Sequence, residues 1–514
     1  MAGSVWSIGY GVYAKGSQME STEAELQQMF TEVQEENRRL KTRYHNKLEV
    51  NHAINRTLVS FQGNKSEAWH RWFKYKEGFS ASLVEYLMDT LHIDTGPLLD
   101  PFAGSGTALF TASDRGLDTI GIELLPVAAE IIRTRDMLRS CDSKSVAKRV
   151  LSYAEKGAWK QSKRRREFCH LRITADAFPP ETQAALERYL YSAQTVKDIV
   201  LKQILRFAAL CILESVSYTR KDGQYLRWDS RSSRRLRGKE FHKGPIIGFD
   251  DAICAKLREI AGDLTNNNRG LFEELMQTNK PGSVELREGS CLDLLPEIPT
   301  ASIGAIITSP PYCNRYDYTR TYALELAMLG VDEEELRRFR QAMLCCTVEN
   351  REKDWLVSRF KSSTLKQVGQ AFDSQKVLNT ALAYLESCRL TGAINNNSIP
   401  RMVKNYFKEL AIVIFECARV LKPGHPFIMV NDNVRYQGAE IPVDLILSDF
   451  AERAGFDTET IWVLPRGKGN SSQQMGIHGR MENRKCVYVW RLRGRQAKQR
   501  ARKAALAQSC LPRM

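Results

Sequence analysis

Two short segments, far apart in the chain, combine residue types that could hold a ligand and react with it. In DPFAGSGT, residues 100–107, an acidic residue precedes two glycines. In TSPPY, residues 308–312, a short apolar run ends in two hydroxyl residues, two prolines and an aromatic ring. Glycine turns occur in many nucleotide sites, and a proline pair can simply stiffen a turn, so neither segment is specific alone. Only their combination narrows the chemistry.

The glycine segment has the composition of a ligand-binding turn between a strand and a helix. Ala103, Gly104 and Gly106 are small enough for a ligand to approach the backbone, and glycine permits positive φ angles. A helix is predicted to begin directly afterwards, so its unpaired N–H groups and positive end would face the ligand. Asp100 would end the strand, where ligands bind in open α/β sheets. Because there is no P-loop motif and no nearby lysine, this acid favours a cationic amino-acid group over a phosphate.

A second carboxylate, Glu123, ends the next predicted strand, 23 residues after Asp100. In dinucleotide folds an acid at this place accepts hydrogen bonds from two ribose hydroxyls. The alternative is a surface glutamate at a strand end. Together with the glycine turn, this spacing predicts a ligand with an adenosine-like ribose. S-adenosylmethionine has such a ribose, and it also carries an α-ammonium group and a sulfonium.

The proline segment could bind a flat heterocycle that carries an amino group. Its prolines leave the carbonyls of Ser309 and Pro310 outside any strand ladder, and the Ser309 hydroxyl is a further acceptor. Tyr312 offers a face on which a planar ring can stack. These features suit a nucleobase amine extruded from a duplex, whereas the alternative is a rigid turn. If its strand neighbours the glycine-turn strand, both segments open into one crevice.

Together the two segments resemble the amino-methyltransferases of DNA, which transfer methyl from S-adenosylmethionine to N4 of cytosine or N6 of adenine. The Ser-Pro-Pro-Tyr form is similar to the cytosine-N4 branch, since the adenine branch more often begins with Asp or Asn. The resemblance covers about residues 68–135, 284–325 and 400–492. It implies S-adenosylmethionine as cofactor, double-stranded DNA as substrate, no metal, and a bacterial restriction-modification or defence system, with a cognate restriction endonuclease as candidate partner.

The resemblance also assigns roles to individual residues. The target base would be held by the catalytic set Ser309, Pro310, Pro311 and Tyr312. The cofactor would be held by Phe79, Ser80, Asp100, Phe102, Ala103, Gly104, Gly106, Thr107, Glu123, Ser290 and Cys291. There is one departure from the family, which usually has Gly-Asp on the third strand, where the Asp contacts the adenine amine. Here EGSCLDLL places Ser290 at that position; Asp293, or Asp176 in a rival third strand ITADAF, is the alternative.

The whole chain has the composition of a soluble globular protein long enough for several domains or one domain with large insertions. Of its 514 residues 43% are hydrophobic and 26% are charged. The net charge of +15 favours a polyanionic partner, most often nucleic acid. We expect no signal peptide or membrane span, and hence a cytoplasmic protein associated with the nucleoid through DNA. The twelve cysteines include no CxxC pair, which favours reduced thiols over a zinc site or disulfides.

The α/β pattern of the chain, together with this resemblance, implies a Rossmann-like α/β fold with a seven-stranded methyltransferase sheet, a basic recognition insertion and a helical insertion. The basic insertion interleaves arginine and lysine with aromatic residues, as nucleic-acid-binding surfaces do. Its candidate DNA-binding residues are Arg220, Lys221, Arg227, Arg231, Arg234 and Arg235. The predicted organisation is an N-terminal helical segment (1–60), the cofactor half of the core (61–139), the basic target-recognition region (140–283), the SPPY half (284–330), the helical insertion (331–400), the C-terminal strands (401–493) and a basic tail (494–514).

Several alternatives stay open at this level. The substrate could be adenine in DNA or a base in RNA, or the chain could be a catalytically silent DNA-recognition subunit. The polar, glycine-rich segment 464–485 is either a DNA or target-base contact or a flexible connector. The helix predicted over 19–48 either docks on its own domain or forms a coiled-coil dimer, and the oligomeric state stays undetermined.

Overall fold

The computed structural model describes residues 23–222, 225–234, 240–265, 280–465, 468–469 and 481–494. The strands are β1 Leu48–Val50, β2 Leu98–Asp100, β3 Thr119–Glu123, β4 Thr219–Asp222, β5 Tyr225–Trp228, β6 Val284–Glu288, β7 Ala305–Thr308, β8 Pro426–Asp432, β9 Val434–Tyr436, β10 Ala439–Ile441, β11 Phe456–Val463, β12 Lys468–Gly469, β13 Glu482–Asn483 and β14 Lys485–Leu492.

The α-helices are α1 Glu23–Arg43, α2 Ala81–Leu91, α3 Thr107–Asp114, α4 Pro126–Arg139, α5 Ser143–Lys156, α6 Pro180–Thr195, α7 Ile199–Val216, α8 Phe249–Thr265, α9 Cys291–Leu294, α10 Tyr318–Thr321, α11 Ala323–Leu329, α12 Glu333–Ala342, α13 Leu356–Arg359, α14 Ser362–Asp373, α15 Lys376–Leu390, α16 Ile399–Val420 and α17 Val443–Ala454. Short 3-10 helices lie at Phe61–Asn64, Ala158–Gln161 and Leu295–Glu297.

The central sheet has eight strands in the order β1-β11-β14-β8-β7-β2-β3-β6. Strands β6, β3, β2, β7 and β8 are parallel to one another, and β14 is inserted antiparallel between β8 and β11. This large, mostly parallel sheet agrees with the Rossmann-like prediction. The predicted count of seven strands is wrong, because β1 pairs with the edge strand β11. Its three residues are too few to show a hydrophobic alternation that sequence inspection could detect.

The order of the strands creates a crevice next to the strand that carries the glycine turn. From β2 the chain continues to β3 and β6 on one side, and it returns to β7 and β8 on the other. Ligands bind outside the carboxyl ends of the strands at such a reversal. Because β2 pairs directly with β7, the segments that follow these two strands emerge side by side.

The sheet is covered on both faces, and the alternation of side chains along its strands explains how. In β2, Leu98 packs with helices α2 and α3, whereas its neighbour Leu99 packs with α16 and α17. Ile306 and Ile307 of β7 divide between the same two faces. This alternation of adjacent residues is the period of a strand that is buried on both sides.

The helices of the predicted basic region pack into an apolar cluster that they share with neighbouring elements. Helices α5 to α8 bury Trp159, Tyr189 and Phe249 in one cluster, which also includes residues of α4 and α11. The hairpin of β4 and β5 follows α7. The boundaries of this region as a recognition domain stay a prediction.

The N-terminal helix docks on its own chain. Helix α1 buries Val33 and Leu40, and the rings of Phe30 and Tyr384 have centroids 5.8 Å apart. Among the described residues, no helix combines the length and the apolar character needed to span a membrane. No group of three or more His, Cys, Asp or Glu side chains in this part of the chain is placed to hold a metal ion.

Candidate active site

Both motif segments open into one cleft at the carboxyl ends of the parallel strands. The open volume of the cleft, its mouth included, is about 770 Å³. Among the residues in its wall are Tyr75, Glu77, Phe79, Asp100, Phe102, Ala103, Gly104, Thr107, Glu123, Ser290, Cys291, Ser309, Pro311 and Tyr318. The glycine turn and the proline turn therefore share one crevice, as predicted.

A hydrogen bond joins the two segments directly. The hydroxyl of Thr308, the last residue of β7, donates to Oδ1 of Asp100 at 2.6 Å, and the N–H of Phe102 donates to the same oxygen at 3.0 Å. Asp100 is 2% exposed, and this burial raises the pKa of its carboxyl to about 7 although both hydrogen bonds lower it. A cationic ligand group beside Asp100 would favour the ionised form.

Glu123 ties the end of β3 to the glycine turn. Its Oε2 accepts the N–H of Gly104 at 2.8 Å, and its Oε1 accepts the N–H of Leu125 at 2.7 Å. Burial raises the pKa of this carboxyl to about 7, against the effect of the two backbone donors. Each carboxylate oxygen has a second lone pair, so both can also accept a ligand hydroxyl.

The glycines of the turn adopt conformations that other residues rarely adopt. Gly104 has φ +52° and Gly106 has φ +76°. A Cβ atom on Gly104 would lie 2.9 Å from Cε1 of Tyr75, and one on Gly106 would lie 2.9 Å from Cγ1 of Ile132. The turn therefore closes against an aromatic wall on one side and leads into α3 on the other. Gly104 is in the cleft wall, whereas Gly106 lies behind it and precedes the helix.

The proline turn places Ser309 in the cleft and Tyr312 behind it. Ser309 Oγ lies 3.1 Å from the carbonyl oxygen of Val430 and 3.1 Å from the hydroxyl oxygen of Tyr312. Pro311 is in the cleft wall, while Pro310 is buried outside it. Tyr312 is half-buried, and the ammonium group of Lys485 lies 5.1 Å from the centre of its ring.

The structure shows which of the two candidate segments, EGSCLDLL or ITADAF, belongs to the third strand of the sheet. Strand β6 pairs with β3, so EGSCLDLL follows the third strand as expected. Asp176 lies in an exposed turn rather than on a strand, so the rival alignment is wrong. Asp293 does not reach the cleft wall either. Ser290 does, but its hydroxyl donates to the carbonyl of Ala342 at 2.8 Å and caps α9, so it does not replace an acid.

Phe79 and Ser80 were both expected beside the methionine end of the cofactor, but only Phe79 lies at the cleft. Phe79 is in the cleft wall. Ser80 is fully buried outside it, because its hydroxyl caps α2 through the N–H of Leu83 and donates to the carbonyl of Leu58 at 2.8 Å. A cofactor contact for the Ser80 side chain does not agree with this geometry.

Known proteins resemble this chain over nearly its whole length. It is 49% identical over 464 residues to the Type II methyltransferase M.AvaI of Nostoc sp., which is 90% of this chain and 94% of that relative. M.AvaI of Anabaena variabilis gives the same values. M.BsoBI of Geobacillus stearothermophilus, also a Type II methyltransferase, is 39% identical over 480 residues, 88% of this chain and 91% of the relative. The chain belongs to the Type II methyltransferases.

No protein-family model and no solved structure matches the chain. The relatives support site-specific methylation of DNA, and their names do not specify cytosine or adenine. Type II methyltransferases use S-adenosylmethionine as methyl donor, as the glycine turn and Glu123 predicted.

The cleft of this Type II methyltransferase has a set of hydrogen-bond acceptors that fits S-adenosylmethionine. Asp100 and Glu123 supply two buried carboxylates for a ligand that has a cationic end and a ribose. The backbone at Gly104 packs so closely against Tyr75 that a Cβ atom would clash with the ring, so this part of the cleft wall requires glycine. These residues could hold the cofactor, and the acceptor for its adenine amine is not an Asp side chain on β6.

The basic residues chosen from the sequence have different environments. Arg220 is exposed. Arg227 pairs with Asp222 and stacks on Phe241, Arg231 forms a bidentate pair with Asp229, and Arg234 stacks on Trp228. Arg235 lies outside the described residues.

The structure contradicts the DNA contact that was predicted for Lys221. Its side chain is 3% exposed and pairs with the buried carboxylate of Glu325, and its ammonium lies over the rings of Phe73 and Tyr322. The reason is the alternation along β4, which turns Arg220 to solvent and Lys221 into the interior. An ammonium held in this way cannot also neutralise a phosphate.

Sequence reasoning missed a group of residues around the cleft. The hydroxyls of Tyr316 and Tyr322 donate to the two carboxylate oxygens of Glu77, which is in the cleft wall. Tyr75 is also in the wall, and its ring stacks on Tyr322 with centroids 5.3 Å apart. One sequence signal was the density of tyrosines directly after the proline turn, and Tyr75 and Glu77 lie close to the predicted cofactor residue Phe79.

Proposed function

We propose that this Type II methyltransferase methylates N4 of cytosine in a short site of double-stranded DNA. The observation that carries the proposal is the position of Ser309 of the Ser-Pro-Pro-Tyr turn, in the wall of the cleft that also contains Asp100 and Glu123. A serine at the first position of this turn is typical of the cytosine-N4 branch of DNA amino-methyltransferases, which this segment resembles. The shared membership of the Type II methyltransferases supports the reaction class.

In the proposed complex the chain positions two partners in one cleft. S-adenosylmethionine, when bound, supplies an electrophilic methyl group on its sulfonium. Asp100 would face the α-ammonium group, and Glu123 would accept hydrogen bonds from the ribose hydroxyls. The target amine would donate to oxygen acceptors of the proline turn, chiefly those of Ser309, which is in the cleft wall. These acceptors would favour a pyramidal, more nucleophilic nitrogen, and positioning would supply much of the rate.

We further propose that the hairpin of β4 and β5 belongs to the DNA-recognition surface. Arg220 is exposed there, and Arg227, Arg231 and Arg234 keep partly exposed guanidinium groups beside aromatic or acidic neighbours. Arginines of this kind can neutralise phosphates or read guanine edges. Lys221 is left out of the proposed set because it is buried. A cognate restriction endonuclease is a proposed partner of the enzyme.

The identity of the methylated base tests the proposal. The enzyme is incubated with unmethylated duplex DNA and labelled S-adenosylmethionine, the DNA is digested to nucleosides, and the labelled nucleoside is identified by mass spectrometry. We expect N4-methylcytosine. N6-methyladenine would contradict the proposal, and so would a clear preference for structured RNA. Cofactor binding without turnover on any DNA would instead support a silent recognition subunit.

Cofactor binding should strengthen as the pH rises through 7. The free enzyme has two buried carboxyls in the cleft, Asp100 and Glu123, each with a pKa raised by burial to about 7. Their ionised forms are the ones that would bind an ammonium and accept ribose hydroxyls. Between pH 6 and pH 8 we expect affinity to rise about tenfold for each carboxyl that must ionise.

Isothermal titration calorimetry at pH 6, 7 and 8 measures this dependence. Repeating it in two buffers with different ionisation enthalpies shows the protons released on binding. A constant affinity over this range, with no proton release, would mean that neither carboxyl changes its ionisation when the cofactor binds.

A further inference from the structure

A lysine from β14, the second strand from β7 in the sheet, reaches the proline turn. Lys485 begins β14, and its register partner is Asp432, the last residue of β8. Their side chains form an ion pair at 3.1 Å and are 14% and 13% exposed. Burial lowers the pKa of Lys485, but the charges of Asp432 and the contact with Tyr312 raise it above its usual value. The ammonium is therefore a fixed, charged donor at the ligand edge of the sheet.

From this lysine a chain of hydrogen bonds runs to the cleft. Lys485 Nζ lies 3.3 Å from the hydroxyl oxygen of Tyr312, which lies 3.1 Å from Ser309 Oγ. Ser309 Oγ in turn lies 3.1 Å from the carbonyl oxygen of Val430. The lysine also lies over the tyrosine ring, so it holds both the hydroxyl and the ring in place.

The two ends of this chain fix the direction of every hydrogen bond. A carbonyl oxygen can only accept, so Ser309 must donate its single proton to Val430. Tyr312 must then donate to Ser309 Oγ. An ammonium group can only donate, so Lys485 donates to Tyr312. The hydroxyl oxygen of Ser309 is left with one lone pair and no proton for a ligand.

We propose that Lys485 is a positioning residue that, through Tyr312, keeps Ser309 an obligate hydrogen-bond acceptor and so selects an amino group over a carbonyl at the target position. A 4-amino or 6-amino group can donate to the remaining lone pair of Ser309. A 4-oxo group, as in thymine or uracil, cannot donate and would face an acceptor. This inference rests on the proposed role of Ser309 as a contact of the target amine.

A double-mutant cycle between Lys485 and Tyr312 tests the proposal. Its four members are the wild-type enzyme, Lys485→Met, Tyr312→Phe and the double variant, and the readout is labelled methyl transferred to duplex DNA. Losing a hydrogen bond from a charged donor should lower kcat about tenfold to a hundredfold in Lys485→Met. Because both residues act through one hydroxyl, the lysine change should cost less than about threefold once Tyr312 is Phe.

The controls separate this role from a general loss of structure. Lys485→Arg should recover part of kcat, because it restores a charged donor. In Lys485→Arg, which keeps the charge beside Asp432, cofactor affinity and thermal unfolding should stay near wild type, as in Arg491→Met, which removes an ion pair from the other end of β14. If Lys485→Met does not fold, Lys485→Gln replaces it in the cycle.

The proposal is overturned if the losses of the two single variants multiply in the double variant, or if Lys485→Arg recovers nothing while it folds normally. The readout counts methyl groups on DNA whichever base carries them. A wild-type enzyme that methylates adenine would therefore contradict the proposed cytosine specificity, and the cycle would still measure the role of Lys485.

Discussion

A Ser309→Ala enzyme should bind S-adenosylmethionine normally and transfer methyl at least about a hundredfold more slowly, the size of effect seen when one group that stabilises developing charge is removed. The amine nitrogen becomes positive as the methyl group bonds to it, so its N–H bonds to acceptors strengthen in the transition state. The substitution removes the side-chain acceptor of the proposed site and also leaves Tyr312 without its hydrogen-bond acceptor.

The measurement is single-turnover methyl transfer with saturating DNA and cofactor, which separates the chemical step from binding. The matched control is Ser302→Ala, just before the opposite end of β7, where the hydroxyl donates to the carbonyl of Pro299. Ser302→Ala should keep wild-type rates. A Ser309→Ala rate within about threefold of wild type would exclude the hydroxyl as an important acceptor in the transition state.

A Glu123→Gln enzyme should lose at least about a hundredfold in affinity for S-adenosylmethionine, since hydrogen bonds to a charged group contribute about 1.5–3 kcal/mol each. The amide has only one acceptor oxygen, but two backbone donors, from Gly104 and Leu125, converge on this side chain. One of these donors would face an NH₂ group, and the ribose would lose an anionic acceptor.

The chain supplies a close control for this variant in Glu288. It is the register partner of Glu123 on β6, yet its side chain is 48% exposed and pairs with Arg133. Glu288→Gln removes the same charge at the same height of the sheet and should leave affinity unchanged. Calorimetry on both variants decides the matter: equal losses, or no loss in Glu123→Gln, would show that Glu123 does not hold the ribose.

Much of the fold around the site could be predicted because its signals are local. The strand before the glycine turn, the helix after it and the strand that ends at Glu123 are β2, α3 and β3. The apolar run before the proline turn is β7, and KCVYVWRL is β14 with the same limits. Each of these elements has an apolar pattern and a chain-reversing turn within a few residues.

The errors share one physical cause, which is that burial depends on neighbours distant in the chain. ITADAF has the alternation of a strand, but the third position of the sheet is taken by β6 and the segment forms a turn. Lys221 lies in a strongly basic segment, but the face of β4 on which it falls is covered by Phe73, Tyr322 and Glu325. Sequence composition could not distinguish it from the exposed Arg220.

The amino-acid sequence by itself determined the chemistry available to this protein: a glycine turn with two acids that suits S-adenosylmethionine, and a proline turn that suits an amine. These depend on residue types within a few positions of one another. Only the tertiary structure decided which groups complete the site, namely the bond from Thr308 to Asp100 and the donor Lys485, 173 residues from Tyr312. Strand order and register bring such residues within hydrogen-bond distance, and they are set by the packing of the whole sheet rather than by any local pattern.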